Sequence, residues 1–172
     1  MIESNLALVS PDELTLVDNN SLNAHQLQMI LKRTPAIFVK ERPAKGGGKW
    51  KYVTGGYIKK CLNLMFGWDW DFEILDEKIY QNQIVVKGKL TCRCAGRQIV
   101  KTQYGHKDIA FLTETRKDEN GEPKKHKTDQ YLDIGNDFKA AATDSLKKCA
   151  SEIGIAADIY NAEDFREVQV DT

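Results

Sequence analysis

The sequence predicts an α+β domain built as helix, glycine-rich basic loop, helix, three-stranded antiparallel β-meander and long C-terminal helix. Three observations carry this reading. Ile58, Leu62, Met65 and Phe66 recur at spacings of three and four, the period of a helix with one apolar face. Trp68, Trp70 and Phe72 alternate with Asp69 and Asp71, the period of a strand with one buried face. Ile134, Phe138, Ala141, Leu146, Cys149 and Ile153 return to one side of a helix running from about Asp133 to Ile153.

The elements follow in chain order. Residues 1–20 lack periodicity and read as a partly ordered leader. Ser21 or Asn23 can cap a helix to about Arg33, which Thr34-Pro35 ends because the residue before proline avoids helical dihedrals. Ala36 to Val39 is strand-like, and Arg42 to Lys49, with three successive glycines, is a flexible basic loop. The next helix spans Tyr52 to Phe66, with Gly67 suited to its C-terminal cap. In the meander, Gln81-Asn82-Gln83 and Ala95-Gly96 separate strands at Trp68 onward, Ile84 to Cys94 and Gln98 to Tyr104. Residues 113–130, polar and poor in bulky apolar side chains, are expected to be a mobile loop. Gly154 stops the last helix, and a short turn or helix around Asp158 to Tyr160 closes a core domain of residues 21–160, before an acidic tail at 161–172.

A hydrophobic content of 41% supports one core for a chain of 172 residues. No apolar run reaches the roughly 18–20 residues of a membrane span. Met1 to Asp18 contains no Lys or Arg and so has no basic signal-peptide region; a cytoplasmic protein is expected, in the bacterial host if phage-encoded. Cys61, Cys92, Cys94 and Cys149 fit small apolar side chains in a reduced protein better than a disulfide scaffold, zinc site or redox pair.

The formal net charge is zero, yet the charges are segregated. Residues 1–31 hold four acids and no Lys or Arg, whereas residues 32–60 hold nine Lys and Arg against Glu41 alone. After Lys148 the chain turns acidic again. Such segregation creates a local positive field despite a neutral total.

Gly46-Gly47-Gly48-Lys49 invites comparison with the phosphate loop of nucleotide hydrolases. That motif needs Gly where Pro43 stands and Ser or Thr where Trp50 stands, so the comparison fails at both ends. What remains is a glycine loop flanked by Arg42, Lys45, Lys49 and Lys51, with Trp50 and Tyr52 interleaved. Cations neutralise phosphates, and aromatic faces stack on unpaired bases, so the combination suits single strands. Trp50 reads more readily as a core residue, and Tyr52 fits either place. Lys87, Lys89 and Arg93 share one face of the second meander strand, as a solvated outer face also would. Lys147 and Lys148 border the apolar stripe of the last helix, about 100° apart. No nucleophile, acid–base pair or metal cluster stands at a diagnostic spacing, so no enzymatic activity, metal or cofactor is expected.

Gly135-Asn136-Asp137-Phe138-Lys139-Ala140-Ala141-Ala142-Thr143-Asp144-Ser145-Leu146-Lys147-Lys148-Cys149-Ala150, followed by Ile153-Gly154, resembles the hallmark helix of the Rad52 family of strand-annealing proteins. Tyr52-Val53-Thr54-Gly55 leading to Met65-Phe66-Gly67-Trp68, and Gln103-Tyr104-Gly105, match in order and spacing, so the resemblance covers about residues 36–160. It implies side-by-side assembly into a homo-oligomeric ring, with single-stranded DNA in an outer groove and bases outward. Lys147 and Lys148 would line that groove, joined by Arg42 and, ten residues later, Tyr52. Lys87, Lys89, Lys124, Lys125 and Lys127 are candidates for a secondary DNA site.

The function so implied is ATP-independent annealing of complementary strands in homologous recombination and repair, by a compact phage or bacterial form. The alternative is a binding protein that protects single strands without annealing them. Implied partners are single-stranded DNA, its complement and further copies of the chain, with a single-strand binding protein or exonuclease delivering the strand and no membrane. The resemblance covers the annealing core and not the eukaryotic C-terminal partner-binding region, so recruitment through that region is not expected.

Overall fold

The computed structural model describes Gln26, Ile30 and residues 32–44, 46–94 and 96–162. Gln26 and Ile30 are helical, Lys32 and Arg33 are not, and the other residues of the predicted first helix, the leader and the acidic tail beyond residue 162 lie outside the described residues. A hairpin of β1 (Lys40–Pro43) and β2 (Lys49–Tyr52) leads to α1 (Gly55–Phe66). The antiparallel meander β3 (Trp70–Tyr80), β4 (Gln83–Cys94) and β5 (Arg97–Asp108) follows, then a second hairpin of β6 (Phe111–Lys117) and β7 (Pro123–Tyr131). The long helix α2 (Ile134–Ser151) and the single turn α3 (Ala157–Tyr160) complete the described chain.

The expected α+β architecture is therefore present, with four departures. The helix expected from Tyr52 begins only at Gly55, and Tyr52 ends β2. Ala36–Phe38 is a 3-10 turn, and extended pairing begins only at Lys40. The glycine loop is the tip of a β-hairpin, with Gly47 and Gly48 at positive φ. Residues 113–130 are not a loop: they belong to β6 and β7, paired from Phe111↔Tyr131 to Lys117↔Pro123. This hairpin buries neither face, so its sequence carries no apolar alternation to reveal it. Its turn is closed by Asp118, whose Oδ1 accepts from the backbone N–H groups of Asn120 and Glu122, both at 2.9 Å.

Capping explains the helix limits. The Thr54 hydroxyl accepts from the Tyr57 N–H at 3.2 Å to start α1, and Gly67, left-handed at φ 58°, ends it. Asp133 caps α2 through the Asn136 N–H at 3.0 Å. Asp137, buried in the first turn of α2, accepts from the Ala110 N–H at 2.8 Å and fastens the β5–β6 junction to the helix.

One face of the meander packs on α2. Ile84, Val86, Leu90 and Cys92 of β4 point inward with period two, against Ala141, Leu146 and Cys149. Val53, Ile58, Leu62, Met65 and Phe66 complete the main core, each large aliphatic contributing about 1.5–3 kcal/mol on burial. Cys61, Cys92 and Cys149 are core side chains, and all four cysteines are free thiols. The close approach of α2 depends on Gly105: a Cβ there would lie 2.1 Å from the Ser145 backbone nitrogen. Ser145 Oγ donates to the Gln103 carbonyl at 2.8 Å beside it.

Candidate nucleic-acid interface

Register sorts the first hairpin into two faces. Lys40 pairs with Tyr52 and Arg42 with Trp50, so these four side chains share one side. Glu41, Lys51, Pro43 and Lys49 take the other. The first face carries two cations and two aromatics with no acid. On the second, Lys49 is ion-paired to Glu41 at 2.9 Å, which holds the Glu41 carboxyl below its usual range and the Lys49 ammonium above it. The ten-residue spacing of Arg42 and Tyr52 is thus a diagonal cross-strand relation, with the guanidinium 5.9 Å from the ring centroid.

Helix α2 meets this face. Lys147 Nζ stands 5.6 Å from the centroid of the same Tyr52 ring. Partial burial pushes its pKa down, the Arg42 charge adds to that, and Asp144 opposes it. Lys148 diverges from Lys147 and pairs with Asp144 one turn earlier at 3.1 Å. Asp144 also accepts from the His106 N–H of β5 at 3.1 Å.

The short helix α3 anchors the base of the hairpin. The Val53 N–H donates to the Tyr160 hydroxyl at 3.2 Å, immediately after Tyr52. Before the hairpin, Thr34 donates its N–H and its hydroxyl to Asp158 at 2.9 and 2.6 Å. Both ends of the excursion carrying Arg42 and Tyr52 are therefore tied to one turn of helix.

Two elements far apart in sequence thus bring Lys40, Arg42, Trp50, Tyr52 and Lys147 onto one surface. Trp50 is not a core residue: it is 60% exposed beside Tyr52. Lys49 and Lys51 lie on the opposite hairpin face, and Lys45 lies outside the described residues. Lys40, Asp144 and Tyr160 also stand at or beside this surface and were not among the sequence candidates. Lys40 needed the hairpin register, and Asp144 and Tyr160 needed the tertiary structure.

This arrangement can neutralise phosphates and offer flat faces to bases. The sequence model of the Rad52/22 family double-strand break repair proteins matches residues 23–172. The chain belongs to that family. No curated protein matches it in sequence. At the level of the Rad52/22 family, membership brings DNA recombination and repair, single-strand annealing and DNA binding.

The candidates for a secondary site are dispersed. On the outer face of the sheet, Lys89 is ion-paired to Glu73, and Lys87 sits 5.6 Å from the Tyr104 ring centroid. Lys125 and Lys127 share one face of the β6–β7 hairpin and Lys124 takes the other beside Arg116. Lys127 Nζ lies 3.8 Å from the Phe111 ring centroid.

Burial pushes the Cys92 thiol up to about 12, and Cys61 and Cys149 upward too, so these three are poor thiolates. Among the described residues, no helix is long and apolar enough to cross a membrane.

Proposed function

We propose that this Rad52/22 family chain binds single-stranded DNA along the surface formed by the β1–β2 hairpin and α2, and anneals complementary strands without ATP. The observation that carries the reading is the convergence of Arg42 and Lys147 on the Tyr52 ring from elements far apart in sequence. Phosphates would lie against Lys40, Arg42, Lys147 and Lys148, with Trp50 and Tyr52 as stacking faces. Lys49 and Lys51 would add positive potential near the hairpin tip, and Lys45 a further charge. Base pairing supplies the driving free energy, so the protein need only hold and present the strand. No step needs a catalytic residue.

The charges on the sheet edges support assembly into a ring. Edge strand β3 carries Asp71, Glu73, Asp76 and Glu77 against Lys78, with Ile74 and Leu75 exposed, while edge strand β5 carries Arg97, Lys101 and Lys107 against Asp108. Opposite charge on opposite edges favours head-to-tail contact between copies, the kind of interface that closes into rings. A ring repeats a weak site and gains avidity. Lys124, Lys125 and Lys127, with Lys87 and Lys89, would supply a second, weaker DNA path. A partner that delivers the strand, such as a single-strand binding protein or exonuclease, would act on the assembled ring.

The test mixes the protein with complementary labelled oligonucleotides without nucleotide and follows duplex formation, with light scattering for the oligomeric state. Accelerated annealing by an oligomer that weakens steeply with salt is expected. Binding without acceleration would identify a protective single-strand binder instead. A strict monomer, with and without DNA, would sink the ring.

A further inference from the structure

An acid stands among the cations of the proposed DNA surface. Asp144 occupies the turn of α2 before Lys147 and Lys148, and its carboxylate remains partly open to solvent. It faces Lys148 Nζ at 3.1 Å, the His106 N–H at 3.1 Å, His106 Nδ1 at 3.8 Å and, through its charge, Lys147 and the Tyr160 hydroxyl. The backbone bond from His106 is structural, because it ties β5 to α2. That bond needs an oxygen acceptor, not a negative charge, and asparagine would serve. The charge therefore has another consequence. It satisfies Lys148 in the free protein and opposes any phosphate approaching that lysine.

We infer that Asp144 is an internal competitor for strand phosphate: its carboxylate holds Lys148, so a bound strand must displace it to gain that cation. Lys147 has a different partner, the Tyr52 ring, which a phosphate need not displace. The two neighbouring lysines are thus unequal. Lys147 is available to phosphate at once, whereas Lys148 is available only in exchange for its carboxylate. Such an offset keeps each protomer's grip weak, which suits a surface on which strands must slide while complementary bases find their register. The inference rests on the proposed binding surface and deepens it by assigning an affinity-limiting residue that need not itself touch DNA.

The test measures single-stranded oligonucleotide affinity against salt for wild type, Asp144→Asn, Lys148→Gln and the double variant. Asparagine preserves the acceptor for the His106 amide while removing the charge. Asp144→Asn is expected to bind about two- to tenfold more tightly at low salt. Its salt dependence should steepen by roughly 0.7 in logarithmic slope, the signature of one added single-strand phosphate contact. In the Lys148→Gln background the same exchange should change affinity less than about twofold, because the partner is gone. Unchanged or weaker binding by Asp144→Asn would overturn the inference, as would an equal gain with Lys148 already removed. If Asp144→Asn fails to fold, Lys147→Gln and Lys148→Gln decide: the Lys148 variant should lose less affinity, and an equal or greater loss overturns the idea. Wild type that binds no single strand would instead sink the proposed function itself.

Discussion

Lys147 of α2 and Tyr52 of β2 meet with the ammonium 5.6 Å from the ring centroid, and Arg42 approaches the same ring at 5.9 Å. The ring holds two cations near each other, which their mutual repulsion alone would oppose. Each contact at this exposure is worth about 0.5–1 kcal/mol, and the ring face can also stack on a base. Tyr52→Phe keeps the face and should leave oligonucleotide affinity within about threefold, because the ring itself supplies both effects. Tyr52→Ala should cost about 1–3 kcal/mol, measured by fluorescence anisotropy with a labelled oligonucleotide. Equal losses in the two variants would show that the hydroxyl, not the ring, matters.

Burial and the Arg42 charge lower the pKa of Lys147. The sign follows from linkage. The folded state binds the Lys147 proton less tightly than the unfolded chain, so its destabilising contribution is complete at neutral pH and fades as pH rises between the folded and unfolded values. Strand binding has the opposite trend, because phosphate needs the ammonium. Affinity should therefore decline on the alkaline side sooner than an ordinary lysine would dictate. Lys147→Arg, which stays charged, should flatten that decline while retaining binding near neutrality. An unchanged alkaline profile in the arginine variant would exclude Lys147 as the titrating group.

Most of the scaffold was legible in the sequence wherever one face of an element is buried. Ile58, Leu62, Met65 and Phe66 fixed α1, because burial writes a period into the chain. The β6–β7 hairpin escaped because both its faces meet solvent. The surface itself was partly legible. Arg42, Tyr52, Lys147 and Lys148 came from a family resemblance, while nothing local distinguished Lys49 from Lys40 before the hairpin register was known. Trp50 read more readily as core, since an indole's exposure depends on which face of β2 it takes.

That register makes a prediction about the two hairpin faces. Lys40 and Arg42 lie with Tyr52, whereas Lys49 lies opposite and is already paired to Glu41. Arg42→Gln and Lys40→Gln should each weaken single-strand binding and reduce the logarithmic salt slope by about 0.7. Lys49→Gln should change affinity by less than about twofold, because the exposed pair it breaks is worth little. Titrations at several salt concentrations separate the outcomes. A larger slope change for Lys49 than for Arg42 would place the strand on the wrong face of the hairpin.

Gly105 sets how closely α2, with its lysines, lies on β5. A Cβ on Gly105 would fall 2.1 Å from the Ser145 nitrogen and 2.3 Å from the Ala141 carbonyl oxygen. Both are backbone atoms of the helix, so no side-chain rotation relieves the clash; α2 must lift from β5 or the strand must bend. Gly88 differs, because a Cβ there meets the Phe72 ring at 2.3 Å and Ser145 Oγ at 2.4 Å, both side-chain atoms with some freedom to move. Gly105→Ala should therefore be the more destabilising, by at least the roughly 1–3 kcal/mol of an overpacked core, as a lower urea midpoint. Because the displaced helix also carries Asp144, Lys147 and Lys148, the folded fraction of Gly105→Ala should bind single strands more weakly than wild type. Gly88→Ala should keep more of its affinity. Equal stability of Gly105→Ala and wild type would mean that the helix can sit farther from the sheet without loss.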